Sequence, residues 1–109
     1  MNGTEISMQM ILHAGNATTC AYKAIAAAKK ADFTEAKYQM EEAEKEEKLA
    51  HVDQTKLLQG FAQGVESDCN ILMTHSMDHL TMATLNMKIA YEVIDLYQYL
   101  YSLKKGGEE

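Results

Sequence analysis

Residues 69–103, CNILMTHSMDHLTMATLNMKIAYEVIDLYQYLYSL, decide the fold, because they contain no glycine or proline and repeat apolar side chains at steps of three and four. This spacing is that of one face of an α-helix. It predicts a helix over Cys69–Leu103, roughly 50 Å long, with Ser67 or Asp68 as its N-cap. The near-heptad repeat predicts packing at a shallow angle. The predicted core stripe consists of Ile71, His75, Asp78, Met82, Leu85, Ile89, Val93, Leu96 and Leu100.

Two further helices are predicted upstream of this segment. The first runs roughly from Glu5 to Ala31, with small and apolar residues at the same steps. Asp32 and Glu35 then form a capping-box pattern, in which Asp32 accepts from first-turn amides and Glu35 reaches back. The second helix therefore begins there and runs to about Phe61. Short connections between long helices predict an all-α, antiparallel up-down three-helix bundle.

The whole chain, residues 1–109, is predicted to be one domain, with an ordered core over roughly residues 4–103 and a polar C-terminal tail. The third helix also has a second apolar stripe beside the first. Two other helices do not suffice to cover both stripes, so self-association is expected, although the spacing leaves the number of subunits open. The second stripe consists of Leu72, Ala83, Ala90, Val93 and Tyr97.

The charge and the cysteines exclude several classes of protein. The formal net charge is −6 and there is no arginine, which argues against nucleic acid as a partner. The acidic run from Glu41 to Lys48 is expected to be a solvated helix face. No apolar run approaches the length of a membrane span, and the first residues do not resemble an export signal, so direct membrane insertion is not expected. Cys20 and Cys69 form no CxxC motif, which favours a reducing cytoplasm.

The segment Thr74–His79 is the most informative chemically. His75, Asp78 and His79 stand at i, i+3 and i+4, on one face of a helix. Burying an isolated carboxylate costs several kcal/mol, so Asp78 needs a cation or hydrogen bonds if it lies in the core. The residues alone leave open a structural interpretation, in which Asp78 faces a water-filled groove and His75 is a hydrogen-bonded core histidine.

A histidine in this position is also suited to carrying a phosphoryl group. Neutral imidazole is a nucleophile at physiological pH, and its nitrogen–phosphorus bond is labile enough to pass the group on. Such a carrier needs no nucleotide-binding loop. Neither GxxxxGK[ST] nor GxGxxG occurs in the chain.

Three motifs resemble segments of one protein family. His13–Ala17 reads HAGNA, Ala50-His51 is followed by Gln54-Thr55, and His75–Leu80 reads HSMDHL. Together they resemble the HAGNA, AHxxQT and HAQDHL segments of the lactose/cellobiose-type enzyme IIA proteins of the bacterial sugar phosphotransferase system. The motifs occur in the right order with matching separations, and the similarity covers nearly the whole chain.

This resemblance implies a phosphotransferase component with a phosphohistidine intermediate. His75 is implied to accept the phosphoryl group on Nε2 from phospho-HPr and to pass it to a cysteine of a IIB component. Asp78 is implied to bind one Mg²⁺ per homotrimer, together with its counterparts from two other subunits; carboxylates and water fit the octahedral oxygen shell of this ion. The assembly is implied to contain nine helices.

Met77, His79, His13 and Gln54 are possible supporting residues of this site. Met77 stands where the family has glutamine and cannot donate a hydrogen bond, and Thr18 stands where the family often has arginine. The transported sugar is implied to be a β-linked disaccharide, with cellobiose-like sugars first and lactose or diacetylchitobiose next.

Two other functions fit the residues. One is a metal-binding helical bundle, in which His75, Asp78 and His79 act with His13 or His51 to bind Zn²⁺. The other is a purely structural oligomerisation module, in which His75 and Asp78 have no chemical role.

Overall fold

The computed structural model describes residues 1–64 and 71–108, which form three long helices. These are α1 (Gly3–Lys29), α2 (Phe33–Ala62) and α3 (Ile71–Glu108). The molecule is elongated, with extents of 65 × 17 × 16 Å, and no strand occurs in the described ranges. The all-helical three-helix fold is therefore confirmed. No helix within these ranges combines the length and the apolar character that crossing a bilayer demands.

The first helix is shifted by about two residues from the prediction at both ends. It begins at Gly3 because the side chain of Asn2 caps it, accepting from the backbone N–H of Glu5 at 2.8 Å. It ends at Lys29 and not at Ala31. Ala31 has φ of +62°, a left-handed conformation with which a right-handed helix does not continue.

The predicted cap of α2 is confirmed in part. The side chain of Asp32 accepts from the backbone N–H of Glu35 at 3.2 Å. The carboxylate of Glu35 accepts from the amide of Gln39 at 2.9 Å, so it points along the helix instead of back to Asp32. The helix ends at Ala62, one residue beyond the prediction.

The third helix is longer at its C-terminal end than the sequence predicted. It continues to Glu108, through the segment predicted to be a polar tail beyond Leu103. The ring of Tyr101 packs edge-on against Phe33 at 5.7 Å, and the ammonium of Lys105 lies 5.5 Å from the Tyr101 ring. The contact with Phe33, the first residue of α2, holds α3 where it passes the α1–α2 turn. The predicted start at Cys69 and the predicted N-caps Ser67 and Asp68 lie outside the described residues.

The core is built largely from alanine. Small side chains at steps of three and four along α1 allow the neighbouring helices to approach closely. A second, smaller cluster of larger residues fills the other end of the bundle, where α3 begins. The buried alanines of α1 and α2 are Ala14, Ala17, Ala21, Ala24, Ala27, Ala28, Ala36, Ala43 and Ala50.

The predicted core stripe of α3 is wrong. Apart from the half-buried Val93, its members are exposed in the single chain; Leu85, for example, is 55% exposed. Both stripes of α3 satisfy the helical spacing, but the one that meets the alanines of α1 contains more small residues. As expected, α3 is apolar on two sides, and one of them is left uncovered in the single chain. The buried stripe consists of Met73, Ser76, Leu80, Ala83, Met87, Ala90 and Ile94.

Candidate functional site

His75 and His79 lie one helical turn apart on α3 and contact each other through their rings. Their Nε2 atoms are 3.1 Å apart, the ring centroids are 4.5 Å apart and the ring planes are nearly perpendicular. His75 is exposed and His79 is half-buried. One ring therefore donates its Nε2–H and the other accepts with an unprotonated Nε2.

The direction of this hydrogen bond determines the chemistry of His75. When His79 is the donor, His75 carries its proton on Nδ1 and keeps a lone pair on Nε2. That lone pair is the nucleophile of a neutral imidazole. The contact is thus compatible with the nitrogen that the sequence resemblance assigned to phosphoryl transfer.

Buried residues fix the helical turn that carries the two histidines. Ser76 is fully buried, and its hydroxyl donates to the backbone carbonyl of Met73 at 2.7 Å. Leu80 is buried in the smaller core cluster, against which Met77 packs. Because its neighbours are fixed in the core, the backbone of His75 is held in place while its ring faces outward. Met77, predicted as a supporting residue, acts in packing.

Asp78 lies on the exposed side of α3, in the same stripe as Met82 and Leu85. Its carboxylate receives no hydrogen bond and forms no ion pair with the described residues. In residues 1–64 and 71–108 no three His, Cys, Asp or Glu side chains converge as metal ligands. The four-ligand Zn²⁺ site considered from the sequence is therefore not assembled there.

His13 is separate from this site. Its Nδ1 lies 2.6 Å from a carboxylate oxygen of Glu46 on α2, in a half-buried pair. The adjacent Glu47 accepts from the hydroxyl of Thr84 at 2.7 Å. His13 is therefore level with Thr84, about 14 Å along α3 from His75. Within the chain it links α1 to α2.

Gln54 lies closer to the level of the histidine pair. It is about 10 Å along α2 from Glu47, and since α2 and α3 run antiparallel, this brings it level with Met77. Its Oε1 accepts from Nδ1 of the exposed His51 at 3.3 Å. Gln54 therefore lies at about the same height along the bundle as the histidine pair, but its side chain contacts His51 of its own helix and not His75 or His79.

Asp53 is a buried carboxylate that the sequence analysis missed. It is 4% exposed, and its Oδ2 has no hydrogen-bond partner among the described residues. It stands three residues after Ala50 and four before Leu57, both buried in the smaller core cluster. That 3/4 spacing is the signal that predicts its burial from the sequence.

The acidic run of α2 is not only a solvated face. Its carboxylates cross to other helices: Glu46 to His13, Glu47 to Thr84, and Glu44 to the hydroxyl of Tyr91. Burial of the Tyr91 ring, followed by its hydrogen bond to Glu44, raises the pKa of Tyr91 to about 12. The run thus joins the three helices along one side.

Comparison with known proteins connects this arrangement with one family. The model of the family "PTS system, Lactose/Cellobiose specific IIA subunit" matches residues 5–98. The lichenan-specific phosphotransferase enzyme IIA component of Bacillus subtilis is 42% identical over 94 residues, covering 86% of either chain.

Two solved structures share the fold. The crystal structure of the PTS cellobiose-specific enzyme IIA from Bacillus anthracis superposes with a TM-score of 0.88 at 35% identity, covering 94% of either chain. The IIA(chitobiose) chain, solved in complex with HPr from the N,N'-diacetylchitobiose branch of the Escherichia coli phosphotransferase system, superposes with a TM-score of 0.82 at 31% identity. It covers 93% of this chain and 98% of that one.

Proposed function

The chain belongs to the lactose/cellobiose-specific IIA family of the phosphotransferase system, and we propose that it is a phosphocarrier that holds the phosphoryl group on Nε2 of His75. The observation that carries this proposal is the contact between Nε2 of His75 and Nε2 of His79, 3.1 Å apart on an exposed turn whose neighbours are buried. In this arrangement the nucleophile, Nε2 of His75, is accessible while the backbone that carries it is held in place.

The transfer step uses the residues of this turn. The lone pair on Nε2 of His75 attacks the phosphorus of the donor's phosphohistidine; a nitrogen–phosphorus bond forms and the donor's nitrogen–phosphorus bond breaks. The Nε2–H of His79, which had donated to His75, then donates to a phosphoryl oxygen. In the second step a thiolate attacks the same phosphorus and His75 leaves with its lone pair restored. No nucleotide or water is consumed.

We assign phospho-HPr as the donor and a IIB cysteine as the acceptor. The structure of the chitobiose relative in complex with HPr supports the donor. The acceptor follows from the family to which the chain belongs. Both partners must reach the same exposed ring, so they dock in turn.

The uncovered stripe of α3 supports a homotrimer of nine helices. Met82, Leu85 and Ile89 are each about half exposed or more and continue the spacing of His75 and Asp78. Heptad-spaced apolar residues of this kind pack in coiled-coil geometry against copies of themselves. On a three-fold axis Asp78 from three subunits would supply carboxylate oxygens for one Mg²⁺, which would offset their mutual repulsion. The cytoplasmic location stays a prediction.

The transported sugar is proposed to be a β-linked disaccharide or oligosaccharide. The relatives described above are specific for lichenan, cellobiose and chitobiose. A cellobiose-like sugar is the first candidate, with diacetylchitobiose and lactose next.

A labelling experiment tests the function. The protein is incubated with phosphoenolpyruvate, enzyme I and HPr, and phosphate on the chain is measured together with its acid lability. We expect one acid-labile phosphate per chain, dependent on HPr and absent from His75→Gln. His51→Gln, a change of an exposed histidine on α2, is the matched control and is expected to label like wild type. Equal labelling of His75→Gln would overturn the assignment.

A further inference from the structure

The imidazoles of His75 and His79 form a pair of nitrogen donors on the exposed side of α3. Their Nε2 atoms are 3.1 Å apart. Two nitrogens at 2.0–2.1 Å from one metal ion lie about 2.9 Å apart at a right angle and about 3.3 Å apart at the tetrahedral angle. The separation in the structure falls between these values. We propose that His75 and His79 form a two-nitrogen chelating site for a transition-metal ion such as Ni²⁺, Cu²⁺ or Zn²⁺.

The donor atoms determine which ions this site takes. Imidazole nitrogen suits Ni²⁺, Cu²⁺ and Zn²⁺, whereas Mg²⁺ prefers an all-oxygen shell. The pair is therefore chemically distinct from the Mg²⁺ role proposed for Asp78. No third His, Cys, Asp or Glu of the described residues joins the two histidines, so water completes the coordination shell.

The turn of α3 preorganises the pair. Histidines at i and i+4 lie one above the other, and the buried Ser76 and Leu80 fix the backbone between and beside them. Both rings are reachable from solvent, since His75 is exposed and His79 is half-buried. Chelation requires an unprotonated Nε2 on both rings. The ring that donates through Nε2–H without metal therefore changes tautomer and carries that proton on Nδ1.

A bound ion has a consequence for phosphoryl transfer, and this part of the inference rests on the proposed function. The ion occupies the lone pair of His75 that attacks phosphorus. It also removes His79 as a donor to the phosphoryl oxygens. Occupation of the site therefore blocks phosphorylation of the chain, and a chelator restores it.

The binding is tested first, without any phosphorylation. Tag-free protein is titrated with NiCl₂ by calorimetry in excess Mg²⁺, and Cu²⁺ binding is followed by electron paramagnetic resonance. We expect one Ni²⁺ per chain and at least ten-fold weaker binding by His75→Gln and by His79→Gln. Nitrogen coupling from two imidazoles is expected in wild type and in neither of these two variants. His51→Gln is the matched control, because no second histidine lies one turn from His51, and it is expected to bind like wild type. Unchanged affinity in either variant of the pair overturns the site.

The block is tested with phospho-HPr purified away from enzyme I, so that Ni²⁺ acts only on the transfer step. We expect Ni²⁺ to lower the labelling rate of wild type at least ten-fold, and EDTA to restore it. His79→Gln keeps the nucleophile His75 but lacks the second imidazole, so its labelling rate is expected to change little with Ni²⁺. If Ni²⁺ slowed labelling of this variant as much as that of wild type, the ion would be acting on HPr and the proposed block would be wrong. If metal-free wild type does not become labelled, the proposed function is contradicted. The metal site is then tested independently by the calorimetric titration, which does not involve phosphorylation.

Discussion

The hydroxyl of Tyr91 on α3 donates a hydrogen bond to the carboxylate of Glu44 on α2, and this bond joins the two helices across a groove that both of them line. The ring is partly buried, and this burial together with the hydrogen bond raises the pKa of Tyr91 to about 12, from an ordinary value of 10.0. The neutral phenol is therefore the form that the fold stabilises.

The first prediction concerns stability at high pH. Because the pKa of Tyr91 is higher in the folded chain, its contribution is complete below about pH 10 and is lost as the pH rises through about 12. Denaturant unfolding of wild type and Tyr91→Phe should therefore show a difference that shrinks over this range. A wild-type tyrosinate absorbance titration should contain one late phenol that Tyr91→Phe lacks. A stability difference between wild type and Tyr91→Phe that is the same at about pH 9 as at about pH 12 would contradict the assignment.

The second prediction concerns the turn between α1 and α2. Ala31 has φ of +62°, which costs an L-residue with a Cβ about 1 kcal/mol relative to glycine. Ala31→Gly is expected to raise the free energy of unfolding by about 0.5–1 kcal/mol, measured by urea denaturation.

A matched control for this turn is Ala26→Gly, at an exposed position within α1. There glycine is expected to lower the free energy of unfolding by about 0.5–1 kcal/mol, because its backbone loses more freedom in a helix. The two substitutions are chemically identical and have opposite expected signs. A loss of stability in both would show that the left-handed conformation of Ala31 is not costly.

The third prediction concerns Asp53, whose Oδ2 has no partner among the described residues although the side chain is 4% exposed. A buried carboxylate without hydrogen bonds destabilises the fold relative to an apolar side chain of similar size. Asp53→Leu is expected to raise the free energy of unfolding by about 1–3 kcal/mol. Asp95→Leu, at an exposed position of α3, is the control and is expected to change it by less than about 0.5 kcal/mol. A destabilised Asp53→Leu would mean that this carboxylate is satisfied in the assembled protein.

The helices were predictable from the sequence because local rules decide them. No proline interrupts the chain, and Asp32 caps α2 through the N–H that its position predicts. Exact ends were less predictable: the end of α1 depends on the left-handed Ala31, a conformation that sequence rules assign to glycine.

The buried face of α3 was not predictable from spacing alone. The stripes through Leu80 and through Leu85 both have helical periodicity, and the larger side chains favoured the wrong one. The space beside α1 decides between them. The buried face of α1 consists largely of alanine, so α3 packs closely against it through small residues such as Ala83 and Ala90. Similarly, the contact between Glu44 and Tyr91 joins residues far apart in sequence, and charge pattern alone gives no reason to expect it.

The fourth prediction tests the uncovered stripe of α3. Leu85 is 55% exposed in the single chain and lies in the middle of the stripe that we propose to be the trimer interface. Leu85→Glu places three carboxylates at that interface, so it is expected to dissociate the trimer while the helical content of the chain is retained. The readouts are sedimentation velocity and circular dichroism. The matched control is Leu58→Glu, at a similarly exposed leucine of α2, and it is expected to leave the association state unchanged. Equal mass for wild type and Leu85→Glu would exclude this face as the interface.

The last prediction tests whether the proposed trimer depends on the Mg²⁺ ion or on the apolar stripe of α3. Asp78 lies in the same stripe as Leu85, and we propose that three copies of it share one Mg²⁺. Asp78→Leu removes both the charges and the ion, and leaves an apolar axis. Replacing buried charges by apolar side chains is often neutral or stabilising by about 1–4 kcal/mol, so the trimer is expected to persist in this variant and to become insensitive to EDTA. Labelling by phospho-HPr is expected to continue, because His75 and His79 are unchanged. Sedimentation with and without EDTA provides the measurement, and dissociation of Asp78→Leu into single chains would show that the ion, rather than the apolar stripe, holds the subunits together.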